Sequence, residues 1–239
     1  MKLLVLSLLV ILSLTFGLAK INPSISKICS RSDPQRQKCI IDVVHELRSN
    51  LASEEFGEGR QAPKLDPYDI KLLHFENPSG FNLTMTNATI TGIGGYKIRS
   101  LSDDLSKRSF DFLFDIPTLY GKGRYDLNMN VLFVPVNGKG FFNMTLFDTI
   151  ADVKTKYFLE QRDDKKFVKF SPVDIKLKFN KAQFYLENLG DFANGAINAN
   201  PSLLLDQVKP GIESHLMSSL TKMANAVIDG AEEHEIFLP

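Results

Sequence analysis

The sequence predicts an α+β fold with a short N-terminal helix, a long antiparallel sheet and a long C-terminal helix. The prediction rests on three observations about where apolar residues recur. They recur every three or four positions near the N-terminus, at every second position from about 70 to 189, and with helical spacing again after Asn200. A highly curved sheet would wrap its apolar face around the C-terminal helix.

The N-terminus has the pattern of a secretory signal peptide over residues 1–19. Lys2 precedes an apolar run of the length of a signal-peptide core, and the small residues Gly17 and Ala19 follow at a spacing that suits cleavage. A membrane anchor is the alternative, although the run is short for a span of about 20 apolar residues. We therefore expect export, with residues 20–239 as the mature chain.

An amphipathic helix follows this segment. Asp33-Pro34 is typical of a helix N-cap and first turn, and the helical apolar spacing continues to about Leu51. Cys29 and Cys39 flank the cap, and in an exported chain they are expected to form a disulfide. Two buried free thiols are the alternative.

The central segment predicts eight or nine strands. In "FDFLFDIP", residues 110–117, every second residue is apolar, so one face of the strand is almost entirely phenylalanine. The apolar parity slips near Asn87, which predicts a β-bulge. Asn137-Gly138 is a strong hairpin-turn signal. The two G-K-G stretches, at Gly121 and Gly138, are interpreted as turn glycines.

The last segment predicts a second, longer helix. Asn200-Pro201 is typical of a cap and first turn, and apolar residues follow with helical spacing up to Gly230. Pro210-Gly211 interrupts the pattern, so we expect a kink or a break there.

Charge and sequence motifs exclude several functional classes. The formal net charge is zero and the cations are dispersed, which argues against nucleic acid as a partner. Asn82, Asn87 and Asn143 occur in N-x-[ST] triplets and are predicted glycosylation sites, with Asn82 and Asn143 on the solvent face of strands.

The residues for catalysis are not evident. The sequence has four histidines; His45 begins an H-E-x-x-H-like stretch that lacks its second histidine, and no G-x-S-x-G motif occurs. We therefore predict no enzyme, with no catalytic residue, cofactor or metal. An esterase would need a nucleophile and a base that the sequence does not reveal.

The composition instead suggests an apolar interior. The chain has 18 phenylalanines and no tryptophan. Core packing explains any single one, but a long sheet facing a helix would leave space suited to a lipid-like ligand. The predicted wall or its core continuation comprises Phe110, Phe112, Phe114, Tyr125, Leu127, Val131, Phe142, Met144 and Val208. Tyr125, Tyr157 and His215 are candidate polar anchors, with a partly buried, satisfied histidine as the alternative for His215.

Several stretches together resemble a known family. They are "LDPYDI" from Leu65, G-x-G-G-Y-x-I from Gly92, "DIPTLYGKGRYDLNMNVLFVPVNGKGFF" from Asp115 and "NPSLLLDQVKPGIESHL" from Asn200. In order and spacing the chain is similar to the takeout and haemolymph juvenile hormone binding proteins of insects. The resemblance covers nearly all of residues 20–239 and implies a single domain of this type.

The resemblance also implies a fold and a function. The fold would be a super-roll, in which a highly curved antiparallel sheet wraps a long helix around a tunnel for terpenoid or fatty-acid-like molecules. Family members carry juvenile hormone or are linked to circadian output and feeding. Asn128 and Asn130 depart from the less polar residues expected in many members.

We therefore predict a secreted, extracellular carrier, in haemolymph or another fluid, of a small hydrophobic ligand. A receptor is a further expected partner, and stable membrane insertion is not expected. The competing hypothesis is a secreted signalling or interaction protein that acts through its surface and has a packed interior. A continuous internal void would favour the carrier, and a filled interior would favour its rival.

Overall fold

The computed structural model describes residues 27–53 and 61–239. The signal peptide predicted over 1–19 lies outside the described residues. Within the described ranges, no helix combines the length and the apolar character that a bilayer span requires.

Apart from the two-residue strands β1 and β10, the described elements follow the predicted order of a helix, then strands, then helices. The helices are α1 (Arg36–Glu46), continued by a 3-10 turn (Leu47–Ala52), then α2 (Asp191–Ala199), α3 (Ser202–Val227) and α4 (Glu233–Ile236). The strands are β1 (Cys29–Ser30), β2 (Tyr68–Glu76), β3 (Asn82–Thr91), β4 (Lys97–Asp104), β5 (Ser109–Val131), β6 (Val134–Arg162), β7 (Lys165–Phe170), β8 (Asp174–Lys178), β9 (Lys181–Leu186) and β10 (Phe237–Leu238).

The sheet is organised around one very long hairpin. β5 has 23 residues and β6 has 29, and they pair from Ser109–Lys156 to Val131–Val134. β3 and β4 add to β5, β2 adds to β3, and β7, β8 and β9 add to β6, so that eight antiparallel strands form one sheet. This sheet curls strongly into a half-barrel against α3, which confirms the predicted fold class.

Both strands of the hairpin change their inward face at the same place. Ile116 pairs with Thr149, and Leu119 pairs with Leu146. The two pairs are three positions apart, so in regular strands they would face opposite sides of the sheet, yet all four side chains are buried. Asp148, between them, has a φ of 51°, an irregularity that reverses the parity of β6. The predicted bulge at Asn87 is also confirmed, because the β3–β5 register shifts there and its φ is 49°.

The predicted hairpin turn was wrong by five residues. The chain reverses at Leu132-Phe133, where both φ angles are positive, 49° and 69°, as in a type I′ turn. Asn137-Gly138 instead lies within β6, opposite Asn128 and Leu127. A Cβ on Gly138 would lie 2.8 Å from the Tyr125 hydroxyl oxygen, so this glycine serves close packing.

The G-K-G stretches are likewise strand segments, which corrects their interpretation as turns. Gly121 and Gly123 of β5 lie opposite Met144 and Phe142 of β6. A Cβ on Gly121 would lie 2.7 Å from Met144 Cγ, and one on Gly123 would lie 2.9 Å from Phe142 Cε1. The glycines therefore make room for large side chains from the neighbouring strand.

The helix boundaries differ in detail from those predicted. α1 begins at Arg36, because the Asp33 carboxylate accepts the Gln35 N–H at 2.7 Å and closes a turn before the helix. α3 continues through Pro210, so of the predicted kink or break the break is wrong, and the kink stays a prediction. Gly211 beside it leaves space for the ring of Phe75, which packs against the helix. The sequence did not indicate α2.

Side chains of α2 pair with the free edge of β9. The Asn194 amide accepts from Leu186 N at 2.9 Å and donates to Leu186 O at 2.8 Å. One helical turn later, the Asn198 amide makes the same pair of bonds with Phe184, at 2.8 and 2.7 Å. The two amides therefore replace the neighbouring strand that this edge lacks.

α3 satisfies the rest of this margin, formed by β7 and β8, in the same way. Its Glu213 carboxylate accepts from Leu177 N at 2.7 Å, its Thr221 hydroxyl from Val173 N at 2.9 Å, and its Asn225 amide from Phe170 N at 2.9 Å. On the opposite side, Ser219 of α3 bonds to the Tyr68 hydroxyl of β2 at 2.8 Å. The helix is thus fastened to both margins of the curled sheet.

We predict that Asn194→Ala destabilises the protein by about 1–3 kcal/mol, because it leaves the Leu186 N–H without a partner and the Leu186 C=O with only the 3.4 Å bond from the Leu189 N–H. Helix propensity alone would predict the opposite sign, since alanine is the better helix former. Urea denaturation measures the change. Ser214→Ala, at an exposed position of α3, is the control. An Asn194→Ala variant as stable as this control would contradict the edge-pairing account.

Candidate ligand cavity

A cavity of about 500 Å³ lies between the concave face of the sheet and α3. Residues from α1, α3 and α4 and from every strand except β4 contribute to its wall, and nearly all of its surface is apolar. Cavities that hold small molecules have volumes of about 300–1,000 Å³ and few polar groups. The interior is therefore not fully packed.

Most of the predicted wall residues border this cavity. They are Phe110, Phe112, Phe114, Tyr125, Phe142, Met144, Tyr157, Val208 and His215. Leu127 and Val131 do not border it. They are 1% and 0% exposed and belong to the packed core near the hairpin turn, where α2 contacts β5.

The phenylalanine row of β5 forms an aromatic wall. Phe110 stacks on Tyr157 at 6.1 Å and on Phe237 at 6.0 Å, measured between ring centroids. Phe112 and Phe114 stack on each other at 5.6 Å. The solvent-facing side of the strand carries Asp111 and Asp115. The apolar side of "FDFLFDIP" faces the cavity.

The two tyrosines among the candidate polar anchors already form hydrogen bonds within the protein. The Tyr125 hydroxyl donates to the Glu187 carbonyl, and the Tyr157 hydroxyl donates to Glu233 Oε1 at 2.9 Å. Burial raises the pKa of Tyr125 to about 12, and burial followed by the bond to Glu233 raises the pKa of Tyr157. Both phenols are therefore neutral and retain only acceptor capacity for a ligand. The ring of His215 lies 5.8 Å from that of Tyr68.

Sequence reasoning missed four hydroxyl-bearing residues of the wall. Tyr68 and Tyr96 have protein partners, Ser219 Oγ at 2.8 Å and the Val44 carbonyl at 2.7 Å. Thr149 and Thr155 of β6 have none among the described residues. The phenylalanine row indicated an inward face on β5, but its partner register on β6 could not be inferred from the sequence.

The wall is almost free of charge. Among the described residues that border the cavity, Lys27 alone carries a permanent charge, and its ammonium group bonds to Asp42 at 2.9 Å. No group of His, Cys, Asp and Glu side chains in the described ranges is arranged to hold a metal ion.

The paired strands β1 and β10 border one end of the cavity. β1 and β10 pair in parallel, with Cys29 opposite Phe237, and the disulfide between Cys29 and Cys39 is confirmed. It ties β1 to α1, and residues of both elements border the cavity.

An ion cluster stabilises this closure. Glu233 of α4 accepts from Arg31 at 2.9 Å, from Arg108 at 3.1 Å and from the Tyr157 hydroxyl. Burial would raise the pKa of Glu233, but these three donors outweigh that effect and lower the pKa to about 2, from its usual 4.5.

The comparisons with known proteins agree with this geometry. The sequence model of the haemolymph juvenile hormone binding protein (JHBP) family matches residues 5–238. The crystal structure of Takeout 1 from Epiphyas postvittana superposes with a TM-score of 0.76 at 20% identity, covering 89% of this chain and 99% of that chain, which shows the same fold.

A more distant match is a crystal structure of lipopolysaccharide binding protein, with a TM-score of 0.39, 10% identity, and coverage of 79% of this chain and 37% of that chain. That similarity is too low to support a functional argument. A search among curated proteins finds no similar sequence.

We predict that Glu233→Gln lowers the free energy of unfolding by about 2 kcal/mol at neutral pH, since hydrogen bonds to a charged group contribute about 1.5–3 kcal/mol. Because folding lowers the pKa of Glu233, the extra stability of the wild type is fully present above about pH 4.5. It is lost as the pH falls towards about 2. Denaturation at a series of pH values measures it, with the exposed turn variant Asp164→Asn as control. A stability difference that stays constant across this range would contradict the cluster's role.

Proposed function

This chain belongs to the haemolymph juvenile hormone binding protein family, and we propose that it carries a small hydrophobic ligand in the cavity between its sheet and α3. The observation that supports the proposal most strongly is the continuous apolar cavity of about 500 Å³. Its wall carries almost no charged groups, which fits binding of an apolar ligand better than catalysis of a reaction.

The cargo in this proposal is a juvenile-hormone-like terpenoid or a fatty acid. Burial of apolar surface supplies the affinity. For about 300 Å² removed from water, it contributes about 7–8 kcal/mol before the entropy of association is subtracted. The aromatic wall of Phe110, Phe112 and Phe114 gives such a chain a continuous contact surface.

A surface-acting signalling protein with a packed interior is the weaker alternative, because the interior is not packed. A receptor, and roles in circadian output or feeding, rest on likeness to the family alone.

We also propose secretion, with cleavage after Ala19 and glycans on the chain. The side chains of Asn87 and Asn143 are exposed, and that of Asn82 is half-buried, so the first two are better placed to carry glycans. The expected result in insect cells is a secreted product that begins at Lys20 and loses mass on treatment with an N-glycosidase. A product retained in the cells with residues 1–19 attached would contradict this proposal.

The carrier proposal is tested by filling the cavity. Ala151 borders it, is 4% exposed, and lies between Phe114 and Leu177 of the neighbouring strands. We expect Ala151→Phe to weaken binding of a terpenoid ester or long-chain lipid by roughly 10-fold or more, because the added ring occupies ligand volume. Displacement of a bound fluorescent dye, N-phenyl-1-naphthylamine, measures the affinity.

Lys156→Phe is the matched control, because it adds the same ring to an exposed position of the same strand. It should bind like the wild type. Equal affinity of the Ala151→Phe variant and this control would mean that the ligand binds elsewhere. No binding by the wild type to any lipid tested would contradict the carrier function itself.

A further inference from the structure

Two hydroxyl groups on the cavity wall are buried without a hydrogen-bond partner. Thr149 Oγ1 and Thr155 Oγ1 both border the cavity, and neither has a partner anywhere in the described part of the chain. Thr149 is only 1% exposed. Buried polar groups are normally satisfied, so two orphans on one strand of one cavity require an explanation.

The other hydroxyls of the wall show the contrast. Every tyrosine that borders the cavity has a protein partner: Tyr68 bonds to Ser219, Tyr96 to the Val44 carbonyl, Tyr125 to the Glu187 carbonyl and Tyr157 to Glu233. The fold therefore provides partners for wall hydroxyls in general and leaves only the threonines without one. Valine has the same shape as threonine and would avoid the cost of the unpaired hydroxyl.

The local backbone directs these side chains inwards. The positive φ of Asp148 reverses the parity of β6, and the Asn180 amide donates to the Asp148 carbonyl at 2.9 Å and holds that conformation. Thr149 consequently faces the cavity opposite Ile116. Thr155 faces it opposite Phe110, between Lys154 and Lys156, which are exposed on the outer face.

The spacing and charge of the wall describe the molecule that would satisfy both groups. The threonines are six positions apart on one strand, or about 20 Å at roughly 3.3 Å per residue. The single permanent charge among the described wall residues, on Lys27, is paired with Asp42. A carboxylate beside either threonine would therefore be buried without an unpaired, permanently charged partner on the described wall, which is unfavourable.

We propose that Thr149 and Thr155 are hydrogen-bonding anchors for an elongated, uncharged lipid that carries oxygen atoms at two points about 20 Å apart. The proposal rests on the carrier function above and narrows its cargo from lipids in general to neutral, doubly oxygenated ones. Thr149 anchors the oxygen near the backbone irregularity at Asp148. Thr155, opposite Phe110, anchors the oxygen near the end of the cavity that β1 and β10 border.

The test compares ligands that differ only in oxygen content. The assay measures displacement of bound N-phenyl-1-naphthylamine from the full chain and from its Thr149→Val, Thr155→Val and double variants. The competing ligands are hexadecane, 1-hexadecanol, 1,16-hexadecanediol and palmitate. The wild type should prefer the diol to the alcohol and the alcohol to the hydrocarbon. Each single variant should bind the diol roughly 2- to 10-fold more weakly, as expected for one neutral hydrogen bond. Hexadecane affinity should not change.

Two controls separate anchoring from structure. Thr149→Ser keeps the hydroxyl and should keep the preference for the diol. Thr221→Val removes a hydroxyl that bonds to Val173 N, so it should lower the melting temperature without altering ligand preference. Thr149→Val should instead leave the melting temperature of the ligand-free protein unchanged or raise it.

The outcomes distinguish this inference from the carrier function. Unchanged diol preference in the double variant would overturn the anchoring role and would leave the carrier function standing. Palmitate binding as tight as that of 1-hexadecanol at neutral pH would overturn the preference for uncharged cargo. If none of these ligands displaces the dye from the wild type, both proposals fail.

Discussion

The structure depends on how the free edges of its curled sheet are satisfied. A half-barrel leaves backbone N–H and C=O groups without a neighbouring strand, and buried groups of this kind must find partners. Here the partners are helix side chains: Asn194 and Asn198 on β9, and Glu213, Thr221 and Asn225 on β7, β8 and the segment between them. Because the bonds of Glu213, Thr221 and Asn225 hold α3 at the sheet margin, this helix closes the interior without filling it.

That arrangement explains why a cavity persists in so apolar a protein. Large side chains of β6 face glycines of β5, as Met144 faces Gly121, and the aromatic row at Phe110 to Phe114 lines the wall instead of meeting a second packed layer. The paired strands β1 and β10 and the Glu233 cluster close one end. The interior that results is apolar and nearly uncharged, with hydroxyl groups at a few fixed places, which matches the chemistry of a lipid carrier.

Much of the fold could be predicted from the sequence, because it is determined by periodicity. The two-residue period of the central segment, the parity slip at Asn87 and the final helix all reflect local burial. The turn at Leu132-Phe133 could not be predicted, since neither residue favours a positive φ, whereas Asn137-Gly138 carried a turn signal but was needed for packing. The inward face of β5 was predicted, but Thr149 and Thr155 were not, because their orientation depends on a backbone irregularity at Asp148 and on pairing register.

The claim that the cavity holds a hydrophobic ligand is tested most directly by native mass spectrometry of the protein secreted from insect cells. The account predicts a complex that exceeds the mass of the chain by one apolar molecule, which is released on denaturation and recovered in organic solvent. A spectrum of the unliganded chain, unchanged after incubation with terpenoid esters and long-chain lipids, would contradict it.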